Sequence, residues 1–301
     1  MNSLVGVGFK ILATVLFAIM LAMIKYASQT VPTGQVVFAR CFFALIPLAV
    51  FSMVQGNWRD CVRTQQPWLH LRRSIVGAMA MFLWFAAVSM LPLPEATAIS
   101  FLSPLMMVAL AAILLKETVR AYRWSAVAVG FVGVMIILSP RLAQSSGEVQ
   151  TLGAILAVVS TVFMALAAIL IRHMTKTEKN AAIIFYFFTA TSIFSLVTLY
   201  WGWVIPEWDV MVALVLSGIF GGLGQIAVTQ AYRMTEASLL APFDYVNMVW
   251  VVLIAMVLFD EYPSREVIIG GFVVIVAGLF VVYREHKLGL ARRAERRIER
   301  I

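Results

Sequence analysis

A chain of 301 residues that is 62% hydrophobic and 13% charged, with a mean hydropathy of +0.94, cannot fold as a water-soluble globule. A soluble domain of this length buries too small a share of its surface to hide so much apolar side chain. The apolar runs are continuous over roughly 20 residues rather than alternating, which excludes a membrane β-barrel and leaves a polytopic α-helical membrane protein. The formal charge of +8 sits in connections and in a basic tail joined directly to the last apolar run, so nucleic-acid binding is a poor reading of it.

In chain order the pattern predicts ten helices, at 5–26, 35–54, 72–91, 95–115, 122–139, 150–172, 181–201, 210–231, 237–259 and 266–284. The first is read as a membrane span rather than a secretion signal, because no charged segment precedes it and its apolar run is long. An even count puts both ends on one side. With the ends inside, the inner connections hold Arg59, Arg63, Arg72, Arg73, Lys116, Arg120, Arg123, Arg172, Lys176, Lys179 and Arg233. Seven more basic residues follow from Arg284 to Arg300, against only Lys25, Arg141 and Arg265 outside. Eighteen against three places the ends in the cytoplasm of a bacterium whose inner membrane holds the chain. Cys41 falls in the second helix and Cys61 in a polar loop, and both are read as free thiols.

The halves repeat. At an offset of 147, Gly6, Thr14, Ala18 and Phe38 meet Gly153, Thr161, Ala165 and Phe185. At an offset of 144, Gly77, Met90, Glu117 and Val129 meet Gly221, Met234, Glu261 and Val273. The offset changes in the second-to-third helix connection, which is longer in the first half. Each half has five spans, an odd number, so the second inserts upside down relative to the first. The fold class is therefore all-α and integral to the membrane, with ten transmembrane helices in two inverted five-helix repeats around a central site. The expected bounds are 1–146 and 147–285, with a basic cytoplasmic tail over 286–301 that lies on anionic inner-leaflet lipid.

Polar groups inside the spans mark the candidate site. Arg40, in the second helix, is either a guanidinium lining a cavity or an interfacial arginine snorkelling outward. Ala241-Pro242-Phe243-Asp244-Tyr245-Val246-Asn247 carries a carboxylate about a third of the way along an apolar helix, with Asp244 and Asn247 on one face. At the 144-residue offset Ser100 lies under Asp244 and Ser103 under Asn247. Asp244 reads as a substrate anchor, a coupling carboxylate or half of an internal ion pair. Gly218, Gly222, Gln225 and Thr229 form one stripe of the eighth helix, the glycines suited to close packing and the two polar residues to packing or a cavity wall. Trp84, Phe101 and Tyr245 are aromatics that could stack on a planar ligand or simply fill the bundle. Glu95, Glu117, Glu236 and Glu261 sit at helix starts or turns, where a carboxylate complements the N-terminal end of a helix.

No His-Glu-x-x-His, nucleotide-binding loop or acidic metal cluster occurs, and His70, His173 and His286 are far apart. The expectation is no enzyme, no metal and no cofactor. A channel differs from a transporter only in being open to both sides at once, and the inverted repeat favours alternating access.

Two five-helix halves, with fourth helices ending in Leu-Leu-Lys-Glu (114–117) and Leu-Phe-Asp-Glu (258–261) before a glycine-bearing fifth, resemble the drug/metabolite transporter superfamily, EamA type. The resemblance implies a secondary transporter for a small molecule. Members export amino acids and drugs or import metabolites, among them riboflavin and S-adenosylmethionine. The aromatic, basic-tailed sequence is similar to the riboflavin importer branch. That likeness makes a planar heterocycle such as riboflavin the first substrate reading, held by Arg40, Trp84, Phe101, Gln225, Asp244, Tyr245 and Asn247. Export of amino acids or drugs is the alternative, and assembly as a homodimer is open.

The topology has a direct test. Reporter fusions after Ser146 should score outside and fusions after Lys176 inside; a cytoplasmic signal at Ser146 would remove the inverted repeat as well.

Overall fold

A computed structural model of the chain describes residues 3–56, 58–114, 121–143, 148–175, 177–235 and 237–298. Lys116, Glu117, Arg120, Ser146, Lys176, Glu236 and Arg300 lie outside the described residues. Every regular element among those described is helical, as hydrocarbon demands, because an apolar segment in lipid must satisfy its backbone N–H and C=O groups within itself. The spans are α1 (Ser3–Ala27), α2 (Thr33–Val54), α3 (Pro67–Met90), α4 (Leu93–Ser100 then Ser103–Leu114) and α5 (Ala121–Ala143). The second half gives α6 (Glu148–Met174), α7 (Asn180–Leu196), α8 (Trp208–Met234), α9 (Ala237–Leu240, a 3-10 turn Ala241–Tyr245, then Val246–Leu258) and α10 (Arg265–Ile298). Among the described residues nine helices are long and apolar enough to cross a membrane, and the shorter Pro242–Leu258 completes the ten.

Two of the ten are broken, at places that overlap at Phe101 and Tyr245 in the 144-residue offset. In α4 the helix is interrupted at Phe101 and Leu102; in α9 it tightens into the 3-10 turn that contains Asp244. Each following segment has a proline as its second residue, Pro104 or Pro242, where the missing N–H removes a helical hydrogen bond. Phe101 and Tyr245, equivalent at the 144-residue offset, meet with ring centroids 5.0 Å apart. Residues related by a two-fold operation touch each other only close to its axis, so the axis between the repeats runs near this ring pair.

The neighbour pattern has the same symmetry. α1 packs on α8, and its counterpart α6 packs on α3. α1 also touches the last part of α9, as α6 touches the second half of α4. α8 lies on α2 as α3 lies on α7, while α2 meets α7 and α5 meets α10. The α5–α10 crossing is close because it is made by glycines: a Cβ added to Gly133 would stand 2.8 Å from the Gly270 carbonyl oxygen. Gly218 and Gly222 serve the α8–α2 contact in the same way, against the Ala39 and Ala44 carbonyls at 3.0 and 2.8 Å.

Several boundaries differ from the sequence expectation. α3 starts at Pro67 rather than at 72, because proline suits the first helical turn, and this sets Arg72 and Arg73, counted among the inner connections, more than a turn inside the helix. α10 continues as helix through Ile298, beyond the expected end at 284. Cys61 lies in a one-turn helix (Trp58–Val62) rather than a loop, buried, with its thiol donating to Ser52 Oγ at 3.0 Å.

On the face that carries both chain ends, Glu178 ties the repeats together. Its Oε1 accepts from Thr64 Oγ1 at 3.0 Å and from the backbone N–H groups of Gln65 and Gln66 at 2.9 and 3.0 Å. Its Oε2 is 3.4 Å from His70 Nε2, and the imidazole packs on Tyr186 with centroids 4.6 Å apart. Burial alone would raise the Glu178 carboxyl, but the Gln65 N–H, His70 and Thr64 together hold it below the ordinary glutamate value of 4.5. A carboxylate lowered by folding contributes stability above the unfolded-state value and loses it as pH falls through the folded value. Glu178→Ala should therefore cost about 1–3 kcal/mol at neutral pH, as expected when hydrogen bonds to a charged group are lost. The difference from the parent should vanish as unfolding is followed in detergent from pH 7 down through the carboxylate range; a difference independent of pH would contradict the assignment.

Candidate functional site

A cavity of about 320 Å³ opens among α1, α2, α3, α6 and α7, lined by Met20, Arg40, Arg73, Trp84, Met164, Ala168 and Phe187 among others. Two cations occupy its wall. Arg40 is 6% exposed and Arg73 8% exposed. Each guanidinium lies over an aromatic ring of α7: the Arg73 carbon 4.1 Å from the Phe187 centroid, the Arg40 carbon 4.7 Å from that of Phe188. A ring contact of this kind supplies no hydrogen-bond acceptor, so the guanidinium N–H groups are left to find partners. Nε and Nη1 of both arginines have none. Among the described residues no carboxylate pairs with either.

The backbone makes room for both side chains at symmetric positions. A Cβ on Gly77 would collide with Arg73 Nη1 and come within 2.7 Å of Phe187. A Cβ on Gly221, the repeat partner of Gly77, would stand 3.2 Å from Arg40 Nη2. The glycine pair that the repeat singled out thus frames the two guanidiniums.

Asp244 is engaged elsewhere, with Lys10 rather than Arg40. Lys10 Nζ lies 2.6 Å from Asp244 Oδ1 and donates to the Tyr232 hydroxyl at 3.4 Å, with the ammonium 5.0 Å from that ring's centroid. Lys10 is buried, whereas the Asp244 side chain is 53% exposed. Fifteen residues further along α1, Lys25 Nζ is 3.3 Å from Glu261 Oε1 and donates to the Leu91 and Val88 carbonyls at 2.5 and 3.2 Å. Glu261 Oε2 accepts the Leu93 N–H at 2.7 Å. α1 is thereby joined to the two ends of α9 by charge pairs close to opposite membrane faces.

Of the residues singled out in the sequence, the structure brings Arg40 and Trp84 into one cavity. Phe101 and Tyr245 pack on each other as a tilted ring pair in a separate apolar cluster. Asn247 keeps a buried Oδ1 without a partner. Gln225 is half-buried and accepts the Thr229 hydroxyl on its backbone carbonyl. Thr229 lines a second cavity, of about 450 Å³, with Ser52, Gln55 and Asn180. Arg73 and Lys10 were not singled out. Arg73 was counted among the inner connections, although its four-residue spacing to Gly77 was a usable signal; Lys10 lay in a span whose mean apolarity hides one cation.

The EamA-like transporter family model matches residues 4–139 and again 151–284. The chain is 29% identical to an S-adenosylmethionine uptake transporter of Rickettsia bellii, over 94% of this chain and 95% of that one. It is 28% identical to the pseudopaline exporter CntI of Pseudomonas aeruginosa, over 90% and 94%. It is 26% identical to a riboflavin transporter of Rhizobium johnstonii, over 94% and 93%. A solved crystal structure shares the fold with a TM-score of 0.64 at 18% identity, covering 94% of this chain and 98% of that one.

The Lys10–Asp244 pair yields a double-mutant test. Asp244→Asn leaves a buried ammonium without its counter-charge and should lower thermal stability by about 1–3 kcal/mol, less than for a fully buried pair because the Asp244 side chain is half exposed. Lys10→Met combined with Asp244→Asn should recover most of that loss in a detergent unfolding assay. Additive losses would show that the two groups do not act as a pair.

Proposed function

The chain belongs to the EamA-like transporter family, and on that premise we propose that it is a secondary transporter whose substrate binds in the Arg40–Arg73 cavity. The two inverted repeats rock about that site to expose it to each side in turn. The observation that carries this reading is the pair of buried guanidiniums with unpaired N–H edges in a cavity between the halves. A buried charge without a partner costs several kcal/mol, so a fold keeps two of them where a ligand supplies the partner. The face bearing both chain ends is the cytoplasmic one, of a bacterial inner membrane, and the basic tail lies on its anionic lipid.

Trp84 offers a ring to stack against, which suits riboflavin, the first substrate reading, and the likeness to a riboflavin transporter supports it. Riboflavin is uncharged, however, and leaves both guanidiniums without a counter-charge. The second arginine favours a substrate with an acidic group, the chemistry that the amino-acid reading supplies. Import is the first reading of direction; export is the second, supported by the likeness to an exporter. Coupling falls to Asp244, whose pair with Lys10 joins α9 to α1.

Ala168→Trp tests the path without touching a charge. The indole would fill the cavity, so the variant should remain monodisperse and melt near the parent while uptake into proteoliposomes falls at least about tenfold. Undiminished transport would place the substrate path elsewhere.

A further inference from the structure

Both arginines come from the first repeat, yet the groups around them come from both. Each guanidinium carbon lies over one ring of α7, Phe187 for Arg73 and Phe188 for Arg40, and neither ring offers an acceptor, so the N–H fork of each cation is left to pair with a ligand. The remaining lining described for the cavity is Met20, Gly77, Ala80, Met81, Trp84, Phe85, Met164, Ala167, Ala168 and Ile171, with no acidic side chain among it. Among the described residues, two positive charges therefore face an open, mostly apolar cavity with no acidic side chain in its lining.

Water could solvate the N–H edges but would leave the charges uncompensated in a low-dielectric site. A single carboxylate would neutralise one of the two. About 320 Å³ is at the small end of ligand sites, so the occupant is compact. The edges are donors only, since a guanidinium has no acceptor, so the occupant must offer acceptors.

We propose that the ligand of this cavity is a small organic dianion whose two negative charges are held by the N–H forks of Arg40 and Arg73, with its carbon skeleton against Trp84 and the methionines. The proposal rests on the reading of the cavity as the substrate site and adds its charge. A dicarboxylate and a phosphomonoester share the required chemistry.

The test uses the purified full chain in detergent at pH 7.5, with five probes: glutarate, glycerol 3-phosphate, the monoanion propionate, riboflavin and S-adenosylmethionine. The readouts are the ligand-dependent rise in melting temperature and the dissociation constant. At least one of the first two probes should stabilise the protein, with propionate at least about tenfold weaker, and the stronger arm identifies the acidic group. Arg40→Gln and Arg73→Gln should each weaken that probe about 10- to 100-fold, the range for a lost hydrogen bond to a charged group. Without ligand both variants should melt at or above the parent, because each removes an uncompensated buried charge.

Variants that melt well below the parent would make the arginines structural and overturn the proposal. So would the failure of both dianions to stabilise, equal binding in the parent and both variants, or tighter binding of riboflavin than of either dianion. These failures are separable from failure of the site itself. If Ala168→Trp still blocks transport, only the charge of the ligand has been misassigned; if it does not, the cavity is not the path.

Discussion

A cation inside a lipid-embedded bundle must find a negative partner or persist at a cost, and the rest of this structure is arranged around how four of them are treated. Lys10 and Lys25 reach carboxylates of the second repeat, at Asp244 and Glu261. Among the described residues Arg40 and Arg73 have no carboxylate partner and lie over aromatic rings. The division follows the chemistry of the side chains. An ammonium is a compact, strongly hydrated charge that needs a close counter-ion once dry, whereas a guanidinium can lay its face on a ring and keep its edges available. The lysines fasten the repeats near the membrane faces and the arginines stay open in between.

The break in each fourth helix belongs to the same economy of backbone and charge. Where the helix loosens, at Phe101–Leu102 and at Ala241–Tyr245, the chain can put a short polar side chain or a ring where an unbroken helix would put the next turn. In the first repeat this gives Ser100 and Phe101. In the second it gives Asp244, turned toward Lys10, and Tyr245, turned onto Phe101. Irregular backbone at membrane depth is tolerated only inside protein or beside a wet cavity, and both breaks make contacts with the opposite half, through the Phe101–Tyr245 pair and through Asp244 to Lys10.

Much of this was legible in the sequence. Apolar run lengths fix the number of spans, and odd halves with offset identities fix the inversion. Pro242 and the carboxylate inside an apolar run pointed to a special fourth helix in each half, and the Gly77–Gly221 identity marked the repeat at two positions that the structure places beside the guanidinium groups. Arg40 and Trp84 were found because a single polar or large aromatic residue stands out in an apolar run. What hydropathy could not show was partnership across the repeat. Lys10 is one residue in a strongly apolar helix, and only the fold brings it to Asp244 more than two hundred positions away. Arg73 was hidden by a boundary, since a rule that ends helices at charges assigns an arginine to a loop unless something inside the bundle covers it. Phe187 does that here.

The final step concerns asymmetry. Carried through the repeat, Arg40 corresponds to Phe187 at the 147-residue offset, and Arg73 to Ser217 at the 144-residue offset. The counterpart of one arginine is thus the ring on which the other lies. Ser217 is fully buried and donates its hydroxyl to the Leu214 carbonyl within its own helix. The first repeat supplies both charges, and the second supplies aromatic support together with the glycine that admits Arg40. A fully symmetric site would hold four buried arginines, with a desolvation cost that no small ligand could offset, or none, with nothing to grip an acid. Keeping the backbone two-fold while placing the charge on one side gives the two halves one architecture and different tasks. On the proposed reading of the cavity as the substrate site, the first half grips the ligand and the second shapes its surroundings.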